Sequence, residues 1–217
     1  MDYQTARQHM VDSQVRPNDV TDLRIQTAME QTPREVFLPV ELRDQAYVER
    51  EIAYAPGRVL LRARDFAKLV AAAAPQPGEI VLNAVCGSGY STAILAQLVE
   101  MVVAIESDEK LASAAQETLA SLGFSNAAVI TGDSWQGAPD QGPFDLIFVS
   151  GAIEKQPDAL LAQLKDGGRL ATILRKGGIS RGGVYRRSGE AIAFTEVFDA
   201  ATSAVIPGFE QPKSFVF

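Results

Sequence analysis

Three short stretches carry residue types that could hold a nucleoside. The first is 85-VCGSGY-90, a glycine turn closing an apolar run and opening a helix-like pattern. Gly87 and Gly89 there let backbone approach a ligand closely and feed a helix N-terminus. The second is Glu106, which ends the next apolar run, 102-VVAIE-106, and whose carboxylate can accept both hydroxyls of a ribose. The third is 132-GD-133, a turn whose Asp133 can meet an adenine amino group. Each feature alone also has an ordinary reading, as a turn glycine or as a helix cap. Their order along the chain is what points to a nucleoside site.

That order requires elements which bring the three turns to one edge. The segments 80-IVLNAV-85, 102-VVAIE-106, 127-AAVIT-131, 144-FDLIFVS-150 and 169-RLATIL-174 read as short buried strands. Between them, 90-YSTAILAQLV-99, 108-DEKLASAAQETLASLG-123 and 157-PDALLAQLK-165 read as helices. Such alternation predicts a largely parallel sheet covered on both faces, with ligands at the carboxyl ends of its strands. The stretch 183-GVYRRSGEAIAFTEVF-198 departs from it, giving two strand-like runs around Ser188-Gly189 and hence an antiparallel hairpin. Residues 1–50 read as mostly helical, and 34-REVFLPVELRDQAYVEREIAYAPGR-58 as a wrap around the core. The apolar tail 205-VIPGFEQPKSFVF-217 suits docking on the body or on a partner.

Composition narrows the functional classes. The 217 residues include one cysteine and one histidine, which argues against a disulfide framework and a histidine-based metal site. A net charge of −7 argues against nucleic acid, whose partners usually carry a basic face. No apolar run approaches the roughly 18 residues of a membrane span, and the N-terminus does not read as a signal peptide, so a cytoplasmic location is expected. A nicotinamide dinucleotide would want a third glycine where Thr92 stands. S-adenosylmethionine lacks a pyrophosphate and depends on the ribose and adenine contacts instead. It is the cofactor this pattern favours.

The chain resembles the protein-L-isoaspartate O-methyltransferases. The resemblance lies in 34-REVFLP-39, 46-AY-47, 87-GSGYSTAILAQLV-99, 105-IE-106, 132-GDSWQG-137, 143-PFDLIFVSGA-152 and 157-PDALLAQLKDGGRL-170. It implies a Rossmann-like class I methyltransferase: an α/β fold with a mostly parallel seven-stranded sheet, helices on both faces and a C-terminal antiparallel hairpin. It implies S-adenosylmethionine as cofactor and a protein or peptide carboxylate, the isoaspartyl group of damaged proteins, as acceptor. Residues 1–65 would form a helical extension over the acceptor side, and 66–217 the cofactor-binding domain. The implied cofactor contacts are Asn83, Val85, Cys86, Gly87, Ser88, Gly89, Tyr90, Glu106, Ser107, Gly132, Asp133, Ser134 and Ser150.

Two departures from the family pattern bear on chemistry. Where the family reads V-L-E-I-G-x-G-S-G-Y, this chain has Asn83 and Val85 for the glutamate and first glycine, so a weaker hold on the cationic cofactor is expected. Where the family carries G-Q-T-I-S-Q-P, this chain has 58-RVLLRAR-64, with Leu61 at the serine or threonine position beside the acceptor. A carboxylate acceptor is already ionised at neutral pH, so alignment is the main need. Loss of an orienting hydrogen bond, about 1–3 kcal/mol, would slow transfer by one to two decades. Isoaspartyl activity is therefore in question. A non-catalytic binding module, or a methyltransferase for another acceptor, stands as the alternative.

Arg50, Arg58, Arg62, Arg64 and Lys68 form a basic cluster in the altered segment. Pairing with Glu49, Glu51 and Asp65 is the plain expectation for it, and an anionic acceptor site the sharper one. Cys86 reads as a packed small residue rather than a nucleophile.

Overall fold

The computed structural model describes residues 2–202 and 204–211. Among the described residues there are nine strands and six α-helices, which alternate through most of 63–164. A seven-stranded sheet has the order β5-β4-β3-β6-β7-β8-β9. Its strands are β3 (Ile80–Val85), β4 (Met101–Glu106), β5 (Ala127–Thr131), β6 (Phe144–Ile153), β7 (Leu164–Lys176), β8 (Ile179–Ser188) and β9 (Ala191–Ala200). The first five run parallel, while β8 is antiparallel to both β7 and β9. This is the expected mostly parallel sheet with a terminal hairpin.

Parallel strands must be covered on both faces, and the chain does this with two apolar clusters. On one face, Phe66 and Leu69 of α3 (Ala63–Ala73) and Ile94 of α4 (Tyr90–Ala96) pack with Phe148. Met10, Val15, Ile25 and Met29 join the same cluster, so α1 (Tyr3–Met10) and α2 (Leu23–Gln31) are built into that core. On the other face, Leu160 and Leu161 of α6 (Asp158–Leu161) meet Phe144, Ile147 and Leu170, together with Ile206 and Phe209 of the tail. The remaining helix, α5 (Glu109–Ser121), is capped by Asp108, whose carboxylate accepts from the amides of Lys110 and Leu111.

Several local outcomes differ from the sequence reading. The helix expected over 157–165 closes at Leu161, because Leu164 pairs with Phe144 and begins β7. The wrap contains a small antiparallel hairpin, β1 (Ile52–Ala55) and β2 (Arg58–Leu60), standing apart from the main sheet. The tail docks on the body: Val205 bridges to Ala152, and Phe209 meets Trp135 edge-to-face with ring centroids 5.1 Å apart. Residues 212–217, the rest of that tail, lie outside the described residues. Among the described residues no helix is long and apolar enough to cross a membrane.

Arg34 pins the wrap to the body. It is 1% exposed, and its Nε and Nη2 donate to the carbonyls of Ala46 and Leu61. Its guanidinium lies 4.7 Å from the centroid of the Tyr90 ring. Leu61, two residues before α3, is thereby held at the carboxyl edge of the sheet.

Candidate functional site

The carboxyl ends of β3, β4, β5 and β6 lie along one edge of the sheet, where the ligand of an open parallel sheet is expected. At the end of β3, Gly87 adopts φ 55° and Gly89 φ 97°, conformations that a glycine enters without strain. Gly89 is the residue from which α4 starts. Val85, Cys86, Gly87, Ser88 and Tyr90 line what space remains, together with Ser150 from β6. At the end of β4, Glu106 is fully buried and reaches sideways to the glycine turn, accepting from the Gly87 amide at 3.0 Å. At the end of β5, the Gly132 amide donates to the Glu106 carbonyl, and Asp133 accepts from the Trp135 amide. The Ser134 hydroxyl is buried without a hydrogen-bond partner. The nucleoside constellation read from the sequence is thus brought to one edge.

Asn83 and Leu61 take more specific places. Asn83 is fully buried and turned toward α4, its amide donating to Ser91 Oγ and Thr92 Oγ1 at 2.8 Å each, with its Oδ1 unpartnered. It does not line the remaining space, unlike its neighbour Val85. Leu61 does line it, beside Arg34, Phe66 and Tyr90, and makes that wall apolar.

Two residues from β1–β2 complete the site. Arg58 extends across the crevice onto Glu106: its Nε meets Oε2 at 2.9 Å and its Nη2 meets Oε1 at 2.5 Å. The same Nη2 donates to the Ser107 hydroxyl at 2.9 Å. Burial alone would push the Glu106 carboxyl up. The Arg58 guanidinium and the amides of Asp108 and Gly87 outweigh burial and hold it below the ordinary carboxylate range. From the other side of the pair, burial disfavours the Arg58 charge, and Glu106 more than restores it.

Tyr54 is the second. Its hydroxyl accepts from the Ser88 amide at 3.0 Å and lies directly over Gly87, where any side-chain carbon would collide with it. Burial pushes its phenol up to about 12. Burial also raises the Cys86 thiol, seconded by the Glu106 charge, which fits the packing role read from the sequence.

The basic cluster divides. Arg62 pairs with Asp65 at 2.9 Å, as expected, and Arg64 approaches the same carboxylate at 3.9 Å. Lys68 instead reaches Asp19, and Arg58 leaves the cluster for Glu106. The sequence reading missed Tyr54 altogether and missed the partner of Arg58. The available signal was positional: both flank the turn 56-PG-57, so a hairpin there would aim them at one place.

Chemically, the donors and acceptors suit an adenosyl group, with an acidic acceptor beside a glycine turn. The space does not suit it while β1–β2 is in place. The remaining cavity is about 20 Å³, room for about one water, whereas small-molecule sites run to about 300 Å³ or more.

The sequence matches the family described as Protein-L-isoaspartate(D-aspartate) O-methyltransferase (PCMT) over residues 5–194. A protein-L-isoaspartate O-methyltransferase of Roseiflexus castenholzii is 38% identical over 170 residues, covering 78% of each chain. Among solved structures, a protein-L-isoaspartate O-methyltransferase superposes with a TM-score of 0.78 at 20% identity, over 94% of this chain and 66% of that one. A second, from Plasmodium falciparum and described as a complex with S-adenosyl-L-homocysteine, gives a TM-score of 0.76 at 17% identity, over 92% of this chain and 97% of that one.

Proposed function

This chain belongs to the protein-L-isoaspartate O-methyltransferase family, an S-adenosylmethionine-dependent family, and from that footing we propose that it methylates a carboxylate on a protein or peptide. The isoaspartyl group named for its relatives is the first acceptor to test. One observation carries the reading: Glu106, buried at the end of β4, is hydrogen-bonded to the Gly87 amide. That contact supports reading Glu106 as a diol acceptor beside the turn that would face the rest of the cofactor. Residues 1–65 are proposed as the extension over the acceptor side. Arg34, Leu61 and Tyr90 then form the wall an acceptor would meet.

With Tyr54 and Arg58 in the crevice, the space left is too small for the cofactor. The test is incubation with methyl-labelled S-adenosylmethionine and matched peptides bearing isoaspartate or aspartate at one position. Label on the isoaspartyl peptide alone supports the reading, and label on neither removes that acceptor. A second reading, a non-catalytic module that kept the fold, draws support from the filled crevice.

A further inference from the structure

Glu106 has no acceptor capacity left for a ligand. A carboxylate offers about four lone-pair sites. Arg58 occupies two with the parallel N–H donors of its fork, and the amides of Gly87 and Asp108 occupy the others. A ribose cis-diol would present two O–H donors to those same two oxygens, so the guanidinium stands in for the diol. Tyr54 covers the face of Gly87 and takes the Ser88 amide, the two features through which the turn could meet a ligand. From the opposite side, Ile206 of the tail lines the remaining space. Pro207 rests on Gly57 so closely that no side-chain carbon fits between them.

The occupying groups sit on an element that stands apart from the seven-stranded sheet. Among the described residues β1–β2 pairs only with itself, and its bulge between Ala53 and Ala55 interrupts the register beside Tyr54. Ile52 and Leu60 are the buried anchors, and the turn 56-PG-57 lies between them.

We propose that the β1–β2 tip, latched by the tail at Pro207, is a built-in competitor for the cofactor crevice, so that S-adenosylmethionine enters only when Arg58 leaves Glu106. This rests on the cofactor reading above. Apparent affinity is then the intrinsic affinity scaled by the fraction of molecules with the tip withdrawn. A tip closed in about 99 of 100 molecules weakens binding about 100-fold.

The test uses the full chain and S-adenosylhomocysteine as probe. Calorimetric titration of wild type, Arg58→Gln and Arg58→Lys should show at least about 10-fold tighter binding for the Gln variant, a modest lower bound on that scaling. The Lys variant, which keeps charge but not the fork, should fall between. Hydrogen exchange on wild type needs no variant: saturating probe should speed exchange at 54–60 while slowing it at 85–90. Equal affinities in all three proteins, with unchanged exchange at 54–60, overturn the competitor and leave the methyltransferase reading intact. Absence of binding to any of them overturns both and leaves the non-catalytic module. Tight binding to Arg58→Gln without label on either peptide upholds the competitor and removes the isoaspartyl acceptor.

Discussion

Two arginine–glutamate pairs stand at opposite edges of the sheet, alike in chemistry and different in surroundings. At the amino edge, Arg169 of β7 meets Glu79 with both terminal nitrogens, at 2.7 and 2.8 Å. Its remaining N–H groups go to the carbonyls of Ala73, Ala74 and Asp145. Those first two are end carbonyls of α3, which have no intrahelical partner, and that of Ala74 also accepts from the Gln76 side-chain amide. At the carboxyl edge, Arg58 also forks a carboxylate, but its Nη1 reaches only the carbonyl of its own neighbour Gly57. Its partner Glu106 keeps two amide donors if the arginine goes. One pair closes helix and sheet together, whereas the other fills the place proposed for the cofactor's diol. The fate of each partner after the arginine leaves tells a staple from an occupant.

The same substitution at both sites should separate them. Arg169→Gln strips the partly buried Glu79 of its counter-charge, leaving it the Gln76 amide, and takes the side-chain donor from the carbonyl of buried Ala73; it should cost about 3–5 kcal/mol in urea unfolding. Arg58→Gln keeps a donor near Glu106 and should cost about 1–2 kcal/mol. Equal losses would erase the distinction.

A second contrast uses pH. The Glu106 carboxyl sits below its ordinary range in the folded chain. Its pairing therefore adds stability above the unfolded pKa and loses it as pH falls through the lower folded value. The stability gap between wild type and Glu106→Gln should stay constant from about pH 5 to 8 and shrink below about pH 4. A gap that closed near neutrality would contradict the ion pair. The smallest expected effect concerns Cys86, buried in the turn beside the carboxyl-edge pair with its thiol raised. A neutral alkylating reagent at pH 8 should leave it unmodified until urea unfolds the chain, as read by intact mass. Rapid labelling of the native chain would mean that the crevice is more open than Arg58 and Tyr54 leave it.

Much of this was legible because buried parallel strands write themselves as continuous apolar runs. The segments at 80–85 and 102–106 fell where buried strands formed, 127–131 fell on the mostly exposed edge strand β5, and Ser188-Gly189 marked the terminal hairpin correctly. The order of Gly87, Glu106 and Asp133 on successive strand ends followed from that regularity. β1–β2 was not legible, since strands of four and three residues show too little alternation to stand out from a wrap. Nor could local spacing pair Arg58 with Glu106, 48 positions away, when Asp65 stood nearer in sequence. Leu61 and Asn83 were visible as departures. Only packing showed that Leu61 faces the crevice while Asn83 turns beneath α4.

The contact of Pro207 with Gly57 also sets an order of events during synthesis. A chain made from its N-terminus presents the β1–β2 turn before Glu106, and Glu106 before Pro207. Until Pro207 is released, the latch has nothing to close with. The newborn protein therefore passes through a period in which its crevice is least obstructed, and the arrival of Pro207 is what shuts it.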